Sequence, residues 1–381
     1  MTELKVDNIT NLAGSGKPNL PVAPTVGSNA AISTLNTHSY TSSGTEPSSP
    51  KNGALWWDSA NDKVKVYING EFKEIELNAS AGSAIWYGAR ALFMGGYTTE
   101  AATNIDTIEY VAPATTGNVT DFGNLTVGRT DGGACSNGTR AIYSGGYANA
   151  GLQNVIDYVT TATTGNATDF GDMSEASSGM AALSDGTKGI IAGGYYATTA
   201  AIVNRIEFVT IDTAGNMADF GDMLTTDRRQ AGTSDATRGL IAGSDNTANT
   251  IQYITTASAG NAVDFGDLTQ VTKKLAGASD ATRSLFMGGE TSGNPYRSNV
   301  ISYVTTQTAG NATDFGDLTQ QVETPSGTND DIYAVRGGGG TASGRTNVID
   351  RVTIQTAGNA SDFGDLSGSN LGVRATSGAA S

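Results

Sequence analysis

The sequence predicts an all-β chain. Three observations carry that prediction: a six-fold internal repeat, a composition suited to short strands and tight turns, and a terminal segment that matches a strand missing from the first repeat. Glycine reaches 50 residues and charged residues make up only 15%, the opposite of what a helical bundle or coiled coil needs.

The repeat is marked by Asp-Phe-Gly, with its phenylalanine at Phe122, Phe170, Phe220, Phe265, Phe315 and Phe363, spaced by 45 to 50 residues. Gly-Asn precedes each copy, as in Gly165-Asn166-Ala167-Thr168-Asp169-Phe170. Upstream lies a strand-like run such as Ile156-Asp157-Tyr158-Val159 or Ile206-Glu207-Phe208-Val209, and the sixth copy, Ile349-Asp350-Arg351-Val352, has arginine in place of the aromatic. A second apolar run ends in Gly-Gly, as in Leu92-Phe93-Met94-Gly95-Gly96. It is entered by a turn such as Ser184-Asp185-Gly186-Thr187, whose Asp and Gly suit a tight hairpin. The remaining strand is read around Arg229-Gln230-Ala231-Gly232.

Each unit is therefore four short antiparallel strands in about 40–50 residues, the make-up of a propeller blade. The phenylalanine is expected to pack between neighbouring sheets. Blade one opens at Trp86-Tyr87-Gly88-Ala89-Arg90, without a first strand, and Asn370 to Ser377 matches that strand. Placing it there closes the ring and removes sheet edges that would otherwise aggregate. The expected fold is a six-bladed β-propeller over residues 79–381, closed by the C-terminal strand. Apolar run, Gly-Gly, spacer, aromatic strand and late aromatic together resemble the Kelch repeat, with Phe where that family usually has Trp.

Residues 1–52 are rich in Ser, Thr, Asn, Gly and Pro and are expected to be an extended arm without a core of its own. Residues 53–78 read as a small three-stranded β module: Ala54-Leu55-Trp56-Trp57, Lys63 to Ile68, and Glu71 to Leu77, with Asn69-Gly70 as a hairpin turn. Alternation offers Val64, Val66, Ile68, Phe72 and Ile75/Leu77 as one apolar face, with Trp56 and Trp57 covering it or meeting another chain.

Charge and composition exclude several functions. The net charge of −15 repels phosphate backbones and anionic lipid surfaces, so neither nucleic-acid binding nor membrane insertion is expected. One cysteine, Cys135, and one histidine, His38, leave no disulfide, zinc site or Ser-His-Asp triad within one chain. Cys135 reads as a small packing residue. The N-terminus lacks the apolar core of a signal peptide, so synthesis in a cytoplasm is expected. Asp-Phe-Gly is also a kinase triplet, but six copies without a phosphate loop read as structure. The turns at Asp169/Asp172, Asp219/Asp222, Asp264/Asp267 and Asp314/Asp317 offer oxygens to calcium, but side chains capping turn amides are favoured. The expectation is a non-enzymatic protein with no cofactor and no metal.

Leu4-Lys5-Val6-Asp7-Asn8-Ile9 through Asn11-Leu12-Ala13-Gly14-Ser15-Gly16-Lys17-Pro18 resembles the opening of tail-fibre and related virion proteins of marine tailed phages, and the Gly53–Leu77 block is similar to short modules there. The resemblance implies attachment to other virion structural proteins through Leu4, Val6, Ile9, Leu12 and Pro18. It further implies location in the virion, on the tail or an appendage, after synthesis in a host cytoplasm. A homo-oligomer is expected, with a trimer favoured. The most variable segments of the repeat follow each Gly-Gly strand and should line one face. There Tyr97, Tyr147, Tyr195, Tyr196, Tyr296 and Arg297 are the candidate contacts for a host-surface receptor or glycan. The alternatives are a purely structural decoration or tail-assembly protein and a cellular Kelch-type interaction scaffold.

Overall fold

In a computed structural model the structure describes residues 25–26, 30–31, 41–43, 45–50, 54–58, 63–68, 70–74, 87–98, 102–115, 117–246, 248–293 and 296–379. Every regular element among them is a β-strand. The chain divides into two compact units, residues 1–81 and 82–381.

In the first unit, Leu55–Asp58, Lys63–Ile68 and Glu71–Glu74 form an antiparallel meander. A fourth strand, Thr41–Ser43, lies parallel beside Leu55–Asp58, so the module is four-stranded and draws on the segment read as an arm. Thr-Ser-Ser has no apolar alternation to announce a strand; an edge strand needs only its backbone groups. Two-residue strands at Thr25–Val26 and Ala30–Ala31 also pair. The apolar face differs from the expected one. The hairpin sets Tyr67 opposite Phe72 and Val66 opposite Lys73, so Phe72 shares its face with Tyr67 and not with Val66. Trp56 is buried and meets Phe72 edge-on at 5.2 Å. Ile75 and Leu77 lie outside the described residues.

The second unit holds six four-stranded antiparallel sheets. Sheet two, Gly133–Ser136, Arg140–Ser144, Val155–Thr160 and Thr168–Asp172, shows the pattern, with strands paired in chain order. Sheets three to six repeat it from Ala181–Ser184, Ala231–Ser234, Ala276–Ser279 and Ser326–Asn329. Sheet one takes its first strand from the end of the chain: Arg374–Gly378 pairs with Arg90–Met94, setting Thr376 opposite Leu92. The first strands neighbour one another in sequence, and Arg374–Gly378 touches both Ser326–Asn329 and Gly133–Ser136. First strands begin about two residues later than the sequence suggests: Arg229 sits in the left-handed region at φ 61° and ends the extended run.

Second strands are buried on both faces, as Leu92, Phe93 and Met94 are, because a sheet lies on either side. Each Asp-Phe-Gly strand carries a bulge that drops its phenylalanine out of register, as at Ile156/Asp157 against Gly171/Asp169. The bulge turns the ring away from the ladder. Phe122 thereby joins Leu92, Met94 and Ile108 of its own sheet to Ala134, Tyr143 and Val159 of the next. Phe363 does the same between sheet six and sheet one, beside Phe93 and Val111. Five of the six phenylalanines meet an aromatic of the third strand edge-on, as Tyr158 and Phe170 do at 5.9 Å. In sheet six the cation and the ring exchange strands. Arg351 replaces the aromatic, Tyr333 replaces the Arg140-type cation, and the guanidinium lies 4.5 Å from the Tyr333 centroid.

Candidate functional site at the meeting point of the first strands

The repeated motifs are clamps between sheets. The amide of Gly165 donates to the carbonyl oxygen of Phe122 at 2.7 Å, and Asn166 Oδ1 accepts from the amide of Asn124 at 3.1 Å. The same Asn clamp recurs through Asn216, Asn261, Asn311, Asn359 and, onto sheet six, Asn118. A Cβ on Gly123 would lie 2.3 Å from Gly165 O, so the Gly of Asp-Phe-Gly is needed for this approach. The amides in these turns are capped by asparagine, not by the Asp pairs. Among the described residues no group of three or more His, Cys, Asp or Glu is placed to hold a metal.

Two further links occur at all six junctions. A cation reaches a carbonyl oxygen of the next sheet: Arg90 to Thr161, Arg140 to Asp212, Lys188 to Thr256, Arg238 to Thr306, Arg283 to Ile354 and Arg351 to Pro113, at 2.8–3.2 Å. After each second strand, an amide donates to the segment entering the next sheet. The pairs are Gly96 to Arg129, Gly146 to Ser177, Gly194 to Asp227, Ser244 to Thr272, Gly289 to Val322 and Gly339 to Asn370.

These links set the site face. Tyr147–Ala148 pairs with Arg129–Thr130, Tyr195–Tyr196 with Ser177–Ser178, and Tyr97–Thr98 with Asn370–Leu371. The next residue of each entering segment is Asp131, Gly179, Arg229, Lys274, Thr324 or Gly372, all left-handed with φ between 53° and 74°. Five bonds join their backbones head to tail, Asp131 N to Gly372 O, Gly179 to Asp131, Arg229 to Gly179, Lys274 to Arg229 and Thr324 to Lys274, at 2.6–3.1 Å, and contact between Ser326–Asn329 and Arg374–Gly378 brings the two ends of this run together. Inside this ring opens a cavity of about 270 Å³ whose lining includes Ala134, Ala182, Gly232, Gly277, Gly327 and Ala375. Below it, a narrower space of about 60 Å³ is bordered by Ser136, Ser184, Ser234, Ser279, Asn329 and Ser377.

An ion network runs along one edge. Asp245 meets Arg228 and Lys273 at 2.8 Å and Arg229 at 3.4 Å. Glu290 meets Lys273 at 3.0 Å and Lys274 at 2.6 Å; Glu323 meets Lys274 at 3.2 Å and Arg297 at 2.6 Å. Burial alone would raise both Asp245 and Glu290. Hydrogen bonds from Lys273 and Arg228 to the first, and from Lys274, Tyr296 and Lys273 to the second, hold each down at about 2 instead. Across the ring, Arg374 meets Asp131 at 3.1 Å. Deeper, Arg129 and Asp157 form a fully buried ion pair at 3.0 Å, and Arg336 and Asp350 form another.

Of the residues singled out from sequence, Tyr147 and Tyr296 are half exposed, at 50% and 49%, and Tyr97, Tyr195 and Arg297 are partly exposed. Tyr196 is a correction. It is 1% exposed and donates to Glu207 Oε2 at 3.2 Å, because adjacent residues of a strand point to opposite faces. Leu4, Val6, Ile9, Leu12 and Pro18 lie outside the described residues. Cys135 is buried, which pushes its thiol up to about 12. Sequence reasoning missed Asp131, Arg229, Lys274, Thr324 and Arg374. The signal was available: aligned copies put these first four where two others have glycine. Compared with known protein families and with curated proteins, the chain matches none.

Proposed function

We propose that residues 79–381 form a six-bladed, Kelch-like β-propeller, and that the chain is a non-enzymatic virion appendage of tail-fibre type. In this reading residues 1–52 anchor the chain to other virion proteins. The propeller presents the face bearing Tyr97, Tyr147, Tyr195, Tyr296 and Arg297 to a host-surface receptor. The observation that carries the propeller is the recurrence of one inter-sheet hydrogen bond at six junctions, including Gly339 N to Asn370 O at 2.8 Å between the last sheet and the first. Attachment rests on the resemblance of residues 4–18 and 53–77 to phage tail proteins. Self-association as a trimer belongs to the same reading. Segments that vary in length and sequence while their flanking strands stay constant are free of packing and suited to recognition.

The test uses particles carrying the full chain or a chain starting at residue 80. The appendage reading expects the full chain to be incorporated and the short one to be left out. Equal incorporation would assign anchoring to the sheets themselves. In particles with Tyr147, Tyr296 and Arg297 all changed to Ala, adsorption to host cells should fall by about tenfold or more, about 1.4 kcal/mol. Unchanged adsorption would remove this face as the receptor surface.

A further inference from the structure

The six ring positions share a backbone conformation that their side chains do not explain. The left-handed region favours glycine, and a β-branched residue there is an outlier. Gly179 and Gly372 occupy two of the positions; Asp131, Arg229, Lys274 and Thr324 occupy the others. Every departure from glycine is a polar side chain at the rim of the same cavity. Following the hydrogen bonds, the order is Gly372, Asp131, Gly179, Arg229, Lys274, Thr324. The two cations are therefore neighbours; Asp131 is three places from Lys274 and is separated from Arg229 by Gly179 alone.

Charge is unevenly spread around this rim. Asp131 is balanced by Arg374. On the other side, Arg228, Arg229, Lys273, Lys274 and Arg297 face Asp245, Glu290 and Glu323. Asp227 adds a fourth carboxylate through the amides of Arg228 and Asp245. Five cations against four carboxylates leave that edge positive, in a chain whose net charge is −15. Asp245 already serves three cations, and Arg229 is the most distant of them at 3.4 Å. Within the rim, alanines and glycines of the first strands leave room for a ligand, beside Met180, Leu275 and Leu371, which also line the cavity.

We propose that this cavity binds one carboxylated sugar residue. Its carboxylate meets Arg229 and Lys274, its hydroxyls meet Asp131 and Thr324, and a C–H face lies on the alanine and glycine surface. A neutral sugar leaves the cationic edge unused, and inorganic phosphate brings no C–H face for the alanine and glycine surface and is too small to reach Asp131 and Thr324 from the cationic edge. The proposal rests on the reading that this face is presented to a receptor, and supplies the chemistry of that receptor.

The variants Arg229→Gly and Lys274→Gly test it without threatening the fold. Each introduces the residue that Gly179 and Gly372 already provide at equivalent positions, which suits the left-handed backbone. Asp245 keeps Arg228 and Lys273, Glu290 keeps Lys273, and Glu323 keeps Arg297. The purified full chain is titrated calorimetrically with galacturonate, glucuronate and N-acetylneuraminate, with galactose and inorganic phosphate as controls. At least one acid should bind with Kd of about 1 mM or tighter, at least about tenfold tighter than either control. The double glycine variant should lose about tenfold or more, with a Tm lowered by only about a few degrees. No acid binding at about 10 mM, equal binding of the controls, or full binding by the variant would each overturn the proposal. The readout is separate from particle assembly: sugar binding without incorporation counts against the appendage alone, and incorporation without sugar binding counts against this site alone.

Discussion

The amide of Asp131 donates to the carbonyl oxygen of Gly372 at 3.1 Å. That bond ties the segment entering the second sheet to the segment entering the strand that completes the first. Nearby, Ser136 Oγ donates to the carbonyl oxygen of Ser377, and Thr130 Oγ1 donates to Gly372 O at 3.1 Å. The two ends of the repeat region are thus stitched by backbone and side chain together, and four consequences can be measured.

Asp-Phe-Gly should behave as packing. Phe170 is buried between Ile156 and Met173 of its own sheet and Ile191 and Val209 of the next. Phe170→Ala should cost about 3–5 kcal/mol through lost transfer energy and a cavity. Asp169 is exposed, so Asp169→Ala should stay within about 0.5 kcal/mol. Urea unfolding of both variants decides it; equal effects would contradict the packing account.

The exchanged pair in sheet six should show compensation. Arg351 lies over Tyr333 at 4.5 Å and Phe363 at 4.9 Å. Tyr333→Arg sets two cations together, and Arg351→Tyr leaves no cation over the ring, each costing about 1 kcal/mol. The double exchange restores the arrangement of Arg140 over Tyr158 and should recover most of that loss. A double-mutant cycle with no coupling would refute the swap.

Acid should loosen the ion network. Asp245 and Glu290 are held at about 2, below their ordinary values of 3.8 and 4.5. Carboxylates depressed in the folded state stabilise it above the unfolded value, and that contribution is lost as pH falls through the folded one. Stability should therefore decline from about pH 4.5 towards pH 2, with solvent screening reducing the joint contribution to about 1–2 kcal/mol. Tm measured across that range should fall less steeply in Asp245→Asn with Glu290→Gln. Parallel slopes would show that other carboxylates govern the acid response.

Repeat spacing made the third and fourth strands and the inter-sheet phenylalanines legible, since Ile-x-Tyr-Val and Asp-Phe-Gly recur with little change. The start of the first strand was less so. Arg229 and Lys274 adopt a conformation that sequence associates with glycine, so no side-chain signal marks where extension begins. The choice between Tyr195 and Tyr196 needed the register with Ser177–Ser178. The network from Arg228 to Arg297 joins residues of three sheets, and no local pattern announces a contact such as Lys274 to Glu323. The parallel strand at Thr41–Ser43 is held by backbone groups that every sequence carries.

Truncation after residue 368 tests whether the C-terminal strand closes the six sheets. That cut removes Asn370–Leu371, paired with Tyr97–Thr98, and Arg374–Gly378, paired with Arg90–Met94. It also exposes the edge of Arg90–Met94, whose Leu92, Phe93 and Met94 are buried in the whole chain, to edge-to-edge association. Size-exclusion chromatography with thermal unfolding should show aggregation and a Tm lowered by tens of degrees, or no cooperative transition. A soluble, monodisperse protein of unchanged Tm would contradict closure.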